Sequence, residues 1–546
     1  MILKQRGRLV LLCVTLFALT FVGLSLVAWD RFWEPSPHFH FVDLAESFMA
    51  GRLDTRTPMR KKATAVLPDD PAGLQEAVDR ELGSGGWNDW VSYYEVALVT
   101  GETFKGVWPW AQKKKGQSGY DLRNRFVLLS GDWTEFDRNK DVRHVCVDRP
   151  AAPRKSTEYV TWQTRDRFDI EASACQDPEV PNAGSRCAAG QSRVKCLLRR
   201  HYVSFPPTPA LVMLPLAAIW HYHVNDVLVT LLFAAANALL LFLLLVTLQR
   251  KGYSTRSTGE LLVLVFLYSF GTVAFFSSVR GEVWFTALVV GATFNLLYLH
   301  FALELRNPLL AGLFLGLGVG TRVPLAFGFV FFALQLFLQK IAWDRAGILR
   351  RVKQAALFAT PLMVIGIALM LYNLARFGSP TEFGHRFLLD GTRPAIVDHG
   401  LFSFWFLPQN LAAAFANVPQ FMGQFPYVKI TGHGLSLFAT TPIFFYLLWP
   451  RKQQVEEASL PKYHLSLHTI IWITVACMAA PGMFYQNTGW LQFGYRFAMD
   501  YLPLLIMLLA LDARRMSKLF YALVLVSFAV NLFGAITFGR FPFFYH

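Results

Sequence analysis

The chain has 546 residues, of which 54% are hydrophobic and only 16% are charged, and its mean hydropathy is +0.34. Several separate apolar runs approach the roughly 20 residues that a helix needs to cross a bilayer, which excludes a soluble protein and a barrel of short strands. The formal net charge of +15 requires no nucleic acid, because basic loops that face anionic lipid account for it.

The hydropathy pattern predicts an all-α polytopic membrane protein with about 11–13 transmembrane helices. The run 208–220 is apolar but short, and we expect it to dip into the membrane and return. The other candidate spans are 9–29, 226–247, 261–278, 283–303, 308–320, 323–339, 355–372, 433–449, 466–485, 501–511 and 519–537.

The first apolar run follows a basic N-terminus and resembles a signal peptide in that respect. It is long for a signal peptide, however, and Trp29 and Trp33 are typical of a membrane interface, so we expect a retained helix. Basic loops predict that the N-terminus is cytoplasmic and that 30–207, 373–432 and 486–500 lie outside. The expected location is a bacterial inner membrane.

These features divide the chain into five regions. They are a first transmembrane helix with an acidic juxtamembrane helix (1–54), an extracytoplasmic insert (55–207), a central bundle (208–372), an extracytoplasmic loop with amphipathic segments (373–432) and C-terminal transmembrane helices (433–546).

The insert is locally polar, and its strand-like runs FVLLSG (126–131) and EYVTWQ (158–163) predict an α/β or β-rich domain. Four cysteines in one outside segment predict two disulfides, with three possible connectivities. A metal site is the alternative, although no CxxC or HxxxH spacing supports it. The cysteines are Cys146, Cys175, Cys187 and Cys196.

An acid pair lies just after the first span, in the segment HFHFVDLAESFMAGRLD (38–54). If this segment is an amphipathic helix, Asp43 and Glu46 share one face, because they are three residues apart. The alternative is that Glu46 pairs with Arg52, or that both acids are merely solvated.

Ionisable residues also lie between apolar runs on the predicted outer face. Arg280 and Glu282 occupy a tight hairpin and are expected to pair, and Arg322 is either functional or reaches lipid phosphate. Two longer clusters, 376–386 and 487–500, combine glycines, aromatics and arginines, which suit stacking on sugars and binding of phosphate, or an aromatic belt with lipid-facing arginines.

The order of several motifs resembles the GT-C superfamily of membrane glycosyltransferases, which includes the protein mannosyltransferases and the aminoarabinose transferases of lipid A. The resemblance is to bacterial members, covers both ends and much of the membrane part, and does not cover 91–200. Its motifs are HFxxLAxxFxxGRLD (40–54), NDW (88–90), FPPxPA (205–210), NDVL (225–228), VWFTA (283–287), RFGSP (376–380) and NTGWxQFGYRFxxD (487–500).

The resemblance implies an inverting glycosyltransferase that moves a sugar from a polyprenyl-phosphate carrier to an unidentified glycan, lipid or protein acceptor outside the cytoplasm. It implies a catalytic acid in the first outside loop, but this chain has WEPSPHFH (33–40) where an Asp-Glu pair is expected. We therefore expect Glu46 and Asp43 to act, with Asp30 and Glu34 as alternatives.

A leaving polyprenyl phosphate would require cations, and the resemblance assigns this role to Arg496, Arg376, Arg386 and Arg322, with His385 as a possible donor. Sugar or acceptor contacts are assigned to Trp490, Gln492, Tyr495 and His40. No cofactor is assigned, and a divalent metal is left open. The alternatives are a transporter or flippase for a lipid-linked substrate, or a non-catalytic subunit of an envelope assembly complex.

Overall fold

The computed structural model describes residues 2–36, 38–55, 90–98, 103–107, 125–129, 133–135, 194–385, 394–449 and 464–545. The chain divides into two compact units. The first contains 1–36, 225–367 and 402–546, and the second contains 37–224 and 368–401.

The described helices are numbered in chain order. They are α1 (Ile2–Phe32), α2 (His40–Met49), α3 (Thr208–Trp220), α4 (Asp226–Arg250), α5 (Thr258–Phe270), α6 (Ala274–Ser278), α7 (Val283–Ala302), α8 (Pro308–Val319), α9 (Phe329–Leu338), α10 (Arg345–Phe377), α11 (Pro394–His399), α12 (Leu407–Leu411), α13 (Leu437–Thr440), α14 (Phe445–Leu448), α15 (Leu467–Phe484), α16 (Leu502–Leu511) and α17 (Lys518–Thr537). Short 3₁₀ turns include His221–His223, Val323–Gly328 and Arg496–Asp500.

Six helices in the described part of the chain are long and apolar enough to cross a membrane, which indicates an integral membrane protein. They are Leu9–Phe32, Asp226–Arg250, Val283–Leu305, Arg345–Phe377, Leu467–Phe484 and Lys518–Thr537. Five shorter apolar helices are Thr208–Trp220, Thr258–Phe270, Pro308–Val319, Val323–Leu338 and Leu502–Leu511.

Two predicted spans are not single helices. The run 261–278 is divided between α5, which ends at Phe270, and α6, which begins at Ala274. In the run 433–449, α13 ends at Thr440 and a 3₁₀ turn, Pro442–Phe444, separates it from α14. Pro442 has no backbone N–H to continue the α-helical hydrogen bonds, which explains the break.

In the first unit, the buried helix α7 packs against α4 and α8. Two glycines of α8 allow a close approach to α10: a Cβ on Gly312 would lie 1.9 Å from the carbonyl oxygen of Phe358, and one on Gly316 would lie 2.7 Å from Cδ1 of Ile365. This four-residue spacing of small residues is typical of tightly packed membrane helices.

The NDVL motif begins α4 and holds the end of α1. Asn225 caps α4 by accepting a hydrogen bond from the Leu228 N–H, and its amide donates to the Phe32 carbonyl. Buried Asp226 accepts hydrogen bonds from the Ser36 backbone N–H at 2.7 Å and from the Ser36 hydroxyl at 2.5 Å. These bonds fix the chain shortly before it enters α2.

In the second unit, a five-stranded antiparallel sheet follows α2. Its strands are β1 (Trp90–Leu98), β2 (Thr103–Val107), β3 (Arg125–Leu128), β4 (Trp133–Glu135) and β5 (Val194–Val203), in the spatial order β4-β3-β2-β1-β5. The run FVLLSG contributes to β3, as expected, whereas EYVTWQ lies outside the described residues.

Arginine and aromatic contacts connect this sheet to the end of α10 within the second unit. The Tyr93 and Tyr202 rings stack with centroids 5.6 Å apart, and Phe377 lies edge-on to Tyr202. Arg376 is buried, donates to the Val203 carbonyl at 2.8 Å, and its guanidinium lies over the Tyr372 ring. The RFGSP motif therefore holds strand β5 against the helix end.

Candidate functional site

The acid pair lies on α2, as predicted. Helix α2 has no exposed face over most of its length, however, because every residue from His40 to Ser47 is buried. It packs against α3, and Phe41 lies edge-on to Phe205 of the FPPxPA motif. Asp43 is 1% exposed and Glu46 is 6% exposed. Burial of two carboxylates is costly unless polar partners surround them.

Glu46 has such a partner in His221, a residue that the sequence analysis did not identify. Nδ1 of His221 lies 3.1 Å from Oε1 of Glu46. His221 ends α3 with φ at 48°, an uncommon value for a residue other than glycine. The Glu46 side chain is 8% exposed and that of His221 is 56% exposed, so the imidazole connects a buried carboxylate to solvent.

The alternative pairing of Glu46 with Arg52 is not what the structure shows. Nη1 of Arg52 lies 3.8 Å from a carboxylate oxygen of Asp54, its near neighbour in sequence. Asp43 lies one turn before Glu46, and its backbone carbonyl accepts a hydrogen bond from the Ser47 hydroxyl at 3.0 Å. Asp43 and Glu46 therefore lie close together along one buried helix.

The other two candidate acids lie at the end of α1, in the first unit. Asp30 forms an ion pair with Arg540, with Oδ1 3.0 Å from Nε. Arg540 also donates to the carbonyls of Val27 and Ala28, so this contact connects α1 to the segment after α17. Glu34 is exposed in the turn that follows α1.

The arginines predicted to bind phosphate have different surroundings. Arg322 and Asp500 form a bidentate ion pair in the first unit, with Nε to Oδ1 at 2.6 Å and Nη2 to Oδ2 at 2.9 Å. Arg376 makes the contacts with β5 and Tyr372 described above. His385 lies in the turn after Gly384, and Arg386 lies outside the described residues.

Arg496 lies beside this pair in the first unit. Its guanidinium is 5.2 Å from the Phe285 ring centroid and 5.9 Å from that of Phe497, and the guanidinium of Arg322 is 5.4 Å from the same Phe497 ring. Phe497 is thus shared by two cations.

The NTGW segment forms a polar and aromatic cluster with His433, also in the first unit. Nδ1 of His433 is 2.8 Å from the Thr488 hydroxyl, and the His433 and Trp490 rings meet edge-on at 4.8 Å. Gln492 donates to the His433 carbonyl, while its side-chain oxygen accepts from the Arg496 N–H. Trp490 is 41% exposed.

The hydrogen bonds of His433 define its tautomer. Nε2 of His433 is 3.2 Å from the Gln409 amide nitrogen, which can only donate, so Nε2 accepts and Nδ1 carries the hydrogen toward Thr488. Burial lowers the pKa of His433 from its usual value, which also favours this neutral form.

Three residues assigned to sugar contacts, Gln492, Tyr495 and His40, are buried. Tyr495 is 1% exposed, its ring packs near Phe497, and burial raises the pKa of its hydroxyl. His40 is also 1% exposed, and its ring is 6.1 Å from that of His38. Trp490 is the most exposed of the four assigned residues in the described structure.

Among the described residues, no group of three or more His, Cys, Asp or Glu side chains could hold a metal ion. Cys146, Cys175 and Cys187 lie outside the described residues, and Cys196 is described only through its backbone in β5. The disulfides therefore stay a prediction.

Sequence reasoning missed His221 and His433. A histidine at the end of a short apolar helix carried no motif, although the HYH sequence between two apolar runs was a usable signal. His433 lay inside a run interpreted as a membrane span, which concealed its place in a loop.

Comparison of the chain with protein-family models, with curated proteins and with solved structures finds no match. The resemblance to the GT-C superfamily therefore rests on the ordered motifs. The fold and the two sites define an integral membrane protein with a buried carboxylate–imidazole pair and a separate cationic, aromatic cluster.

Proposed function

We propose that this protein is an inverting glycosyltransferase that uses a polyprenyl-phosphate-linked sugar on the extracytoplasmic face of the membrane. The observation that carries the proposal is the buried Glu46 carboxylate, 3.1 Å from His221, on the helix that follows the first membrane helix. The motif order supplies the reaction class, and the acid–imidazole pair supplies a base suited to it.

Glu46 is the general base in this proposal. Its carboxylate accepts the proton of an acceptor hydroxyl or amine, and the acceptor's electron pair forms the bond to the anomeric carbon of the sugar. His221 positions the carboxylate through Nδ1 and, being partly exposed, gives the proton a route to solvent.

The bond that breaks joins the anomeric carbon to the phosphate oxygen, and its electron pair leaves with the polyprenyl phosphate. The negative charge that develops on this phosphate requires a cation beside the bond that breaks.

The acceptor and the sugar are best sought by direct assay. Purified protein in proteoliposomes is incubated with a panel of polyprenyl-phosphate sugars, and release of polyprenyl phosphate is measured against transfer to candidate glycans, lipids and proteins. We expect Glu46→Gln to reduce transfer at least 100-fold, which is the lower range for loss of a general base. Asp398→Asn, at an exposed acid of α11, is the matched control and should retain full transfer.

A second measurement distinguishes the mechanism from loss of folding. Glu46→Gln should elute from a sizing column like the parent and still bind the donor, while His221→Asn should shift the pH profile of transfer. Full transfer by Glu46→Gln would refute the assignment of the base. Movement of the intact lipid-linked sugar across the vesicle membrane, without release of polyprenyl phosphate, would refute the transferase and favour a flippase.

A further inference from the structure

We propose that the segment Gln420–Lys429, here called the aromatic hairpin, inserts into the headgroup layer of the bilayer beside the ends of α1 and α17. This inference goes beyond the glycosyltransferase proposal and does not depend on it. In this proposal, lipid headgroups cover the exposed apolar surface of the aromatic hairpin.

The aromatic hairpin is a defined structure. Its two short strands, β6 (Gln420–Phe421) and β7 (Val428–Lys429), pair antiparallel, with Gln420 opposite Lys429 and Phe421 opposite Val428. The Met422 N–H donates to the Tyr427 carbonyl at 2.8 Å and closes the tip. The side chains at the tip are therefore held in a fixed arrangement.

Those side chains are apolar or aromatic, yet they are highly exposed. Phe421 is 81% exposed, Phe425 is 66% exposed and Tyr427 is 61% exposed, and Val418 just before the hairpin is 66% exposed. Large contiguous apolar patches on a protein surface normally mark a binding surface for protein or membrane. Aromatic rings, and tyrosine in particular, are enriched where membrane meets water.

The base of the hairpin is attached to the segment that follows membrane helix α17. The Ile430 N–H donates to the Phe544 carbonyl at 2.8 Å, and Ile430 forms a parallel bridge with Tyr545. The Phe425 ring lies 5.1 Å from that of Phe543. Because α17 ends at Thr537, the hairpin is held within a few residues of a membrane helix end.

The same C-terminal segment contacts the end of the first membrane helix. Arg540 pairs with Asp30 and lies over the Trp29 ring at 4.5 Å, and Trp33 is 80% exposed nearby in sequence. The ends of α1 and α17 and the hairpin are thus joined by direct contacts, all within the first unit. Tryptophans at a helix end are typical of the membrane interface. The ends of α1 and α17 are therefore expected to lie at that interface.

Lipid fits this surface better than a protein partner does. The C-terminal segment that holds the hairpin also contacts the end of α1, a membrane helix on which Leu26 is 68% exposed. The segment 418–430 contains no acidic residue, and its one charged residue is Lys429, which suits phosphate headgroups. A protein partner would not account for this attachment to membrane helix ends.

Photocrosslinking in the full-length protein tests the proposal. p-Benzoylphenylalanine replaces Phe421, Phe425 or Tyr427 in separate variants, each reconstituted into vesicles of phosphatidylcholine and phosphatidylglycerol, and lipid adducts are measured by mass spectrometry. Leu525, 62% exposed on α17, is the matched membrane position, and exposed Asp398 is the polar control. Sizing columns verify that each variant is folded before irradiation.

We expect lipid adducts at 421 and 425 within about threefold of those at Leu525 and at least tenfold above those at Asp398. Adducts at the level of Asp398 in all three hairpin variants would overturn the proposal. Crosslinking to a second copy of the chain, or to a copurified protein in place of lipid, would also overturn it. The glycosyltransferase assay uses other residues, so either proposal can fail without the other.

Discussion

Arg322 and Asp500 are joined by two hydrogen bonds at 2.6 and 2.9 Å, and both side chains are largely buried. The pair connects the start of the 3₁₀ turn Val323–Gly328 to the end of the turn Arg496–Asp500. Since the Asp500 carbonyl also accepts from Asn295 of α7, this pair helps to hold three elements of the first unit in register.

Breaking this pair from one side should be costly. Asp500→Asn leaves the Arg322 guanidinium without its counter-charge, and we expect a loss of about 3–5 kcal/mol in the free energy of unfolding. The double change Arg322→Met with Asp500→Leu removes both charges and should cost less than Asp500→Asn alone. Thermal unfolding in detergent measures both, and an equal loss in the single and double variants would contradict the prediction.

The close approach of α8 and α10 predicts that Gly312 tolerates no side chain. Gly312→Ala places a Cβ 1.9 Å from the Phe358 carbonyl oxygen, so backbone must move and the melting temperature should fall. Gly366→Ala is the matched control, because nothing lies within 4 Å of a Cβ there. Gly366 is half-buried in a helix interior, and that control should be neutral or gain up to about 1 kcal/mol. Equal behaviour of the two variants would disprove the close packing.

From the contacts of Asp30 and Arg540, we expect substitution of the arginine to reduce stability more than substitution of the aspartate. Asp30 is half exposed, so Asp30→Asn should cost only about 0–1 kcal/mol of stability. Arg540→Ala should cost more, since this arginine also donates to the carbonyls of Val27, Ala28, Ala535 and Ile536. Chemical denaturation compares the two.

The same variants test whether Asp30 has a catalytic role. Because Asp30 connects helix ends in the structure, Asp30→Asn should keep near-parental glycosyl transfer. A loss of transfer comparable to that of Glu46→Gln, with stability unchanged, would make Asp30 the base in place of Glu46.

His433 predicts a dependence of stability on pH. Its pKa is lowered by burial, so the unfolded chain takes up a proton first as the pH falls. The stabilising neutral form is fully present above the unfolded pKa of about 6.5 and is lost as the pH falls through the lower pKa of the folded state. Protonation would also place an N–H against the donating amide of Gln409.

The measurement is the melting temperature between pH 5 and pH 8 for the parent and for His433→Gln. We expect the parent to lose stability below about pH 6.5 and the variant to show a smaller slope over that range. Identical slopes in the two proteins would show that His433 does not titrate in this way.

Residues of two motifs that carry the resemblance hold the backbone in the structure. Asn225 and Asp226 of the NDVL motif hold the end of α1, and Arg376 of the RFGSP motif holds β5 against α10. Spacing alone does not distinguish a residue that holds the backbone from one that contacts substrate. Both roles use the same polar side chains beside glycine and proline, and the partner that decides between them is distant in sequence.

By itself, the sequence determined the class of protein, most of the helices and the position of the acid pair. It could do so because long apolar runs have one stable solution in lipid, a helix with its own hydrogen bonds satisfied. Only the tertiary structure decided that Glu46 contacts His221, 175 residues later, and that Asp500 forms an ion pair with Arg322. Such pairs depend on which helix ends pack together, and packing is a property of the assembled bundle that no local pattern encodes.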